Sequence, residues 1–94
     1  MSDWSVYLVR TRGDAIYTGI ATDVARRIEA HGAGRGAKFL RGRGPLLLLF
    51  QRRVGDRSLA QRVEARLKRL TKGQKEALVR SRPSRIRLLR LLDG

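Results

Sequence analysis

The apolar positions of this chain fall into short runs separated by turn-forming residues, and the period within each run predicts its element. Trp4 to Val9 is rich in strand formers and predicts a first strand. Thr11-Arg-Gly-Asp14 is turn chemistry, with Gly13 free to take a positive φ. Ala15 to Ile20 predicts a second strand, and so short a connection makes the two an antiparallel hairpin. With the turn centred near Arg12, Tyr7 and Tyr17 stand opposite each other as a cross-strand pair on one face. A helix follows. Thr22 is its N-cap, Asp23 suits the positive first turn, and Gly32 supplies the C-terminal stop. Val24 and Ile28 form its packing face, and Arg27 and His31 form a second stripe of the same spacing beside it.

Gly32 to Gly44 holds five glycines and four cations, Arg35, Lys38, Arg41 and Arg43. This loop is either a flexible phosphate-contacting segment or a solvated connection. It lacks Gly-Lys-Ser/Thr, so it is not a Walker loop, and it follows a helix rather than a strand, so it does not fit a dinucleotide turn. Leu46 to Val54 predicts a third strand, with Leu46–Phe50 buried on both faces. Gly55 to Ser58 turns the chain and caps a helix over about 58–71, whose apolar face is Leu59, Val63, Leu67 and Leu70. Glu64 and Lys68 flank that face. A short helix spans about 74–80, and Pro83 breaks the chain. Ser84 to Leu92 then alternates arginine with isoleucine and leucine, as a short basic amphipathic helix packing back on the domain. The whole reads as a single domain over 1–94, with its core at about 4–80 and the basic C-terminal helix at 83–92; no repeat is present.

Composition narrows what such a domain does. The chain has 94 residues, no cysteine and one histidine. A disulfide framework, a thiolate metal site, cysteine catalysis and a multi-histidine metal site are thereby excluded. The longest purely apolar run, Leu46 to Phe50, falls far short of the about 20 residues a membrane helix needs. The N-terminus has no signal-peptide pattern, and a cytoplasmic protein without a membrane partner is expected. Charge changes the picture more. The formal net charge is +14, with +4 on residues 1–50 and +10 on residues 51–94. A compact domain this basic repels itself and is suited to a polyanion, nucleic acid first, because each neutralised phosphate releases a counterion. Charge alone does not separate nucleases from ribosome-associated proteins or plain binding modules.

Taken singly, the candidate residues are ordinary. Strand tyrosines usually pack, a histidine near a helix end usually answers the helix dipole, and Glu64 is at minimum the partner of Lys68. Their order and spacing carry more. Ser5-Val6-Tyr7 and Tyr17-Thr18-Gly19 on a hairpin, Arg27 on the next helix and Glu64 on a later one together resemble the GIY-YIG nuclease domain. More narrowly, the blocks Tyr17–Val24, Gly36–Gly44, Val54–Ala60 and Leu70–Glu76 are similar to the small stand-alone bacterial members of the YhbQ (UPF0213) type. The resemblance covers about residues 4–80. It departs from the family at Ser5 and Val6, which replace the Gly and Ile of the first motif. It departs at Ile20, where some relatives carry a lysine, and in having no asparagine, where many members have a late one.

The resemblance implies an α/β (α+β) fold, a small three-stranded antiparallel sheet flanked by helices, in agreement with the elements read above. It implies an endonuclease that hydrolyses DNA phosphodiester bonds with one Mg²⁺ or Mn²⁺. Glu64 would anchor the ion, Arg27 would stabilise developing charge, and Tyr7 and Tyr17 would position the attacking water. One tyrosine would act as general base if Arg27 and the metal lowered its pKa, and His31 would hydrogen-bond the phosphate or a tyrosine. Arg35, Lys38, Arg41, Arg43, Lys68 and Lys72 are the expected nucleic-acid contacts. DNA is the expected partner, with repair or processing of unusual DNA structures as the setting. The competing reading is a basic nucleic-acid-binding module with little or no turnover, and a third is an RNA- or ribosome-associated protein.

Overall fold

The structure, a computed structural model, describes residues 3–32 and 45–93. The loop cations Arg35, Lys38, Arg41 and Arg43 lie outside the described residues. The chain order is β1 (Trp4–Arg10), β2 (Ile16–Ala21), α1 (Val24–Gly32), β3 (Leu47–Gly55), α2 (Arg57–Lys68), α3 (Lys72–Ser81) and α4 (Arg85–Leu89), the last running on into a 3₁₀ turn at Arg90–Leu92. The sheet is antiparallel throughout, in the order β2-β1-β3. This is the expected three-stranded α+β architecture.

The central strand β1 separates two apolar layers, because alternate side chains point to opposite faces. Val6 and Leu8 pack with Phe50, Val54 and the α2 residues Ala60, Val63 and Leu67, and Leu88 of α4 closes this core. Tyr7 and Val9 point the other way and pack with Ala21 and Val24, with Tyr17 and Ile28 against them. So α2 covers one face of the sheet and α1 the other. Each fully buried aliphatic or aromatic side chain contributes roughly 1.5–3 kcal/mol, and the larger layer dominates stability. Helix α3 has no fully buried residue. Its N-terminus is closed by a reciprocal cap between Thr71 and Gln74. Ion pairs tie it to the hairpin tip, Lys72 to Asp14 at 2.6 Å and Arg10 to Glu76 at 3.1 Å.

The hairpin register differs from the expected one. Tyr7 pairs with Gly19, and Tyr17 pairs with Val9. The turn centres on Gly13 rather than Arg12, with Asp14 N–H donating to the Thr11 carbonyl. Asp14 takes the left-handed conformation, at φ 66°, in place of Gly13. Aspartate tolerates that region, and its carboxylate is held by Arg10 and Lys72. Helix α1 is capped by Asp23, whose carboxylate accepts the Arg26 N–H at 3.1 Å, rather than by Thr22. The third strand starts at Leu47, and Leu46–Phe50 is not buried on both faces: Leu47 is 60% and Leu48 36% exposed. The run reads as a central strand, but β3 is an edge strand, and hydropathy does not distinguish the two. Helix α2 starts one residue earlier and ends three residues earlier than the periodicity predicts, and α3 is longer than expected because the Thr71 cap starts it at Lys72. The C-terminal segment does pack back, through Leu88, as a helical turn and a 3₁₀ turn instead of one helix.

Candidate active site

An open cavity of about 170 Å³ is lined by Trp4, Tyr7, Tyr17, Gly19, Ile20, Arg27, His31, Arg57 and Glu64. All five expected catalytic residues, Tyr7, Tyr17, Arg27, His31 and Glu64, therefore border one space. They come from β1, β2, α1 and α2, that is, from both layers of the fold.

The two layers meet because of Gly19. Tyr7 is 2% exposed, and its ring lies across Gly19 on the neighbouring edge strand. A Cβ built on Gly19 would stand 2.5 Å from both Cζ and Oη of Tyr7. The far end of the phenol thus lies over β2, where Glu64 arrives from α2 on the other layer. Tyr17 sits diagonal to Tyr7 on the same face, with ring centroids 6.4 Å apart. His31, in the last turn of α1, is buried; its Nε2 lies 3.1 Å from Tyr7 Oη, and its ring meets Tyr17 edge-on at 6.1 Å. Arg27 stands one turn earlier on the same helix and is exposed toward solvent.

Burial pushes the Tyr7 phenol up to about 12, with the neighbouring Tyr17 raising it next, Arg27 lowering it and Glu64 raising it slightly. The expectation of a tyrosine with a lowered pKa is therefore not met at Tyr7 by the protein's own groups: desolvation outweighs the arginine. The phenol is a neutral hydroxyl in hydrogen-bond contact with His31 Nε2.

Glu64 makes the expected ion pair with Lys68, at 3.6 Å, yet its side chain is only 20% exposed. An i,i+4 pair of this kind is worth ~0.3–0.5 kcal/mol, so it does not account for a half-buried carboxylate facing the cavity. Lys68 pairs with Glu64 but does not itself line the cavity. Lys72 belongs elsewhere, in the Asp14 pair at the hairpin tip. Lys75 of α3 donates to the Ile16 carbonyl on β2, and its ammonium is pushed down, first by burial and then by the charge of Lys68. A wider concavity of about 390 Å³ runs along the start of α1 and shares Arg27 with the cavity, adding Arg26.

Among the described residues no cluster of three His, Cys, Asp or Glu exists. That excludes a closed structural metal cage there. One carboxylate beside phenolic oxygens does fit a hard cation such as Mg²⁺, which keeps most of its waters and completes its shell with substrate phosphate. Sequence reasoning missed Trp4, Arg57 and the role of Gly19. For Arg57 a signal existed, since it lies seven residues, two helical turns, before Glu64 and so on the same flank of α2.

The family profile described as the GIY-YIG catalytic domain matches residues 3–77. The chain belongs to the GIY-YIG family, a nuclease family, and its nearer resemblances are to YhbQ-like UPF0213 proteins. It is 60% identical over 82 residues to the UPF0213 protein YhbQ of Salmonella typhimurium, covering 87% of this chain and 82% of that one. It is 55% identical over 95 residues to a UPF0213 protein of Yersinia enterocolitica, covering 99% and 96%. Among solved structures, it resembles the solution NMR structure of a UPF0213 protein from Bacillus halodurans, at 39% identity and a TM-score of 0.55, with 84% of each chain covered.

Proposed function

We propose that this protein is a metal-dependent endonuclease that hydrolyses DNA phosphodiester bonds, acting in the cytoplasm in repair or in the processing of unusual DNA structures. The observation that carries the reading is that Tyr7, Tyr17, Arg27, His31 and Glu64 border a single cavity. A plain binding module has no need of a buried phenol–imidazole pair beside a carboxylate in a strongly basic protein.

Phosphoryl transfer needs positioning and charge neutralisation more than covalent chemistry from the protein. Arg27 presents a planar fork to the scissile phosphate and stabilises the charge that develops on it. Tyr17 orients the attacking water. Tyr7 accepts a proton from that water while passing its own to His31 Nε2, because a phenol with a pKa near 12 is a poor base unless a partner takes its proton. Glu64 would hold the Mg²⁺ or Mn²⁺, which when bound supplies positive charge at the phosphate.

Glu64→Gln tests this reading. The variant loses an ion pair worth ~0.3–0.5 kcal/mol, so its melting temperature stays nearly unchanged. DNA binding should be equal or slightly tighter, since a negative charge near phosphate is gone. Nicking with Mg²⁺ or Mn²⁺ should drop by orders of magnitude. Equal nicking by wild type and variant removes Glu64 as metal ligand. Binding by wild type without cleavage of plasmid, branched and single-stranded DNA transfers the reading to the binding module.

A further inference from the structure

We infer that Arg57 is a second phosphate-binding residue of this site, holding a phosphate of the strand that is cut, other than the scissile one. The inference rests on the reading that the cavity takes a nucleic-acid strand. Arg57 and Arg27 reach the same cavity from opposite layers, one from α2 and one from α1. Its guanidinium stands 5.4 Å above the Trp4 ring, which also lines the cavity. Stacking on an aromatic face fixes the plane of the guanidinium and leaves its N–H edge free to fork onto an anion.

The position costs the fold something. Arg57 is the first residue of α2, where a cation meets the positive end of the helix dipole. The Asp56 cap carboxylate beside it accepts the Leu59 N–H at 2.8 Å. Among the described residues, Arg57 makes no ion pair within 4 Å. The Trp4 stacking, about 0.5–1 kcal/mol, offsets that cost and holds the exposed guanidinium at the cavity, where its N–H edge is open to an anion. Arg27 and Glu64 occupy the reacting end of the cavity in the mechanism above, which leaves Arg57 the neighbouring stretch of the same backbone. Arginine at this point selects an extended phosphate chain over a mononucleotide, because both forks are engaged only when two phosphates are linked.

The test is a cycle between Arg57→Ala and substrate phosphates neutralised one at a time as methylphosphonates. Binding is read by fluorescence anisotropy in EDTA, so that no cleavage is needed. Because Arg57 is exposed, the variant should melt with the wild type. It should bind the all-phosphate strand about tenfold more weakly. Its log–log salt slope on duplex DNA should be shallower by about 0.9, one phosphate's worth. At one methylphosphonate position, different from the scissile phosphate, wild type and variant should bind equally. Arg57→Lys should recover the slope but not the full affinity, since the fork is lost. Wild-type affinity and slope in Arg57→Ala, or a penalty unchanged at every neutralised position, overturns the assignment. If the protein binds and shows this coupling but nicks nothing with either metal, the endonuclease reading falls while the Arg57 contact stands.

Discussion

Gly19→Ala should damage this protein more than its small size suggests, and the reason is the Tyr7 ring. Gly19 has no positive φ, so its backbone accepts alanine without strain. The obstacle is space: the new Cβ would lie 2.5 Å from Tyr7 Cζ and Oη and 2.9 Å from Cε2. Carbon atoms pack at about 3.5–4.0 Å, so the ring must retreat by roughly 1 Å. It is 2% exposed and backed by Val9, Ala21 and Val24, so it has little room to do so. Overpacking of this kind costs about 1–3 kcal/mol, and displacing the hydroxyl from His31 adds about 1 kcal/mol. Stiffening of the unfolded chain offsets about 0.4–1 kcal/mol. The net loss is about 2 kcal/mol, a fall of roughly 8–16 °C in melting temperature for a domain of this size.

The assay is a set of thermal melts on wild type, Gly19→Ala, Tyr7→Leu and the double variant, with nicking measured well below the lowest melting point. Leucine lacks the ring atoms that would meet the new Cβ. In the Tyr7→Leu background the alanine should therefore cost close to nothing, a coupling of about 2 kcal/mol across the cycle. Nicking by Gly19→Ala should fall even where the protein is fully folded, because Tyr7 has left its place beside His31. A Gly19→Ala protein with wild-type melting and cleavage refutes the reasoning. So does an equal loss in both backgrounds, which would locate the cost somewhere other than the ring.

Tyr7→Phe checks the raised phenol. Folding holds the proton on Tyr7 up to about 12, whereas the unfolded chain releases it near 10. Wild type should thus lose up to about 2–3 kcal/mol of stability as pH rises through that window, and nothing from this group below it. Chemical denaturation across that range should show this arm in wild type and not in the Phe variant; a wild-type-minus-variant difference that stays flat rules out a buried, proton-bound Tyr7. Replacing Arg35, Lys38, Arg41 and Arg43 with alanine together should weaken DNA binding across sequences and flatten the salt slope by about 0.9 for each phosphate no longer neutralised. An unchanged slope makes that loop a solvated connection.

The site was more legible in the sequence than the register that builds it. The expected hairpin was wrong by two residues of pairing, yet strand side chains alternate with a period of two, so Tyr7 and Tyr17 still share a face. Helix spacing likewise placed Arg27 and His31 one turn apart, and the structure keeps both on the cavity. What the sequence did not contain was the layer to which each helix belongs. Spacing alone is compatible with Arg27 and Glu64 on one face of the sheet, but α1 and α2 cover opposite faces. Nor did it contain the sign of the Tyr7 shift, because the count of nearby cations is visible in a sequence and the depth of burial is not.

These two omissions share a physical origin in β2. Were β2 a central strand, a third backbone would separate Glu64 from the phenols, and no side chain of that length would reach across. As the edge strand, β2 ends the sheet, and Gly19 leaves its Tyr7-facing side bare. Tyr7 lies over that gap, which buries it and raises its pKa, and which also brings its hydroxyl to the sheet margin where Glu64 of α2 lines the same cavity. The glycine of the second motif therefore acts through the tyrosine of the first: it contributes no chemistry, but a side chain there would collide with the Tyr7 ring that carries the phenol into the cavity shared with Arg27 and Glu64.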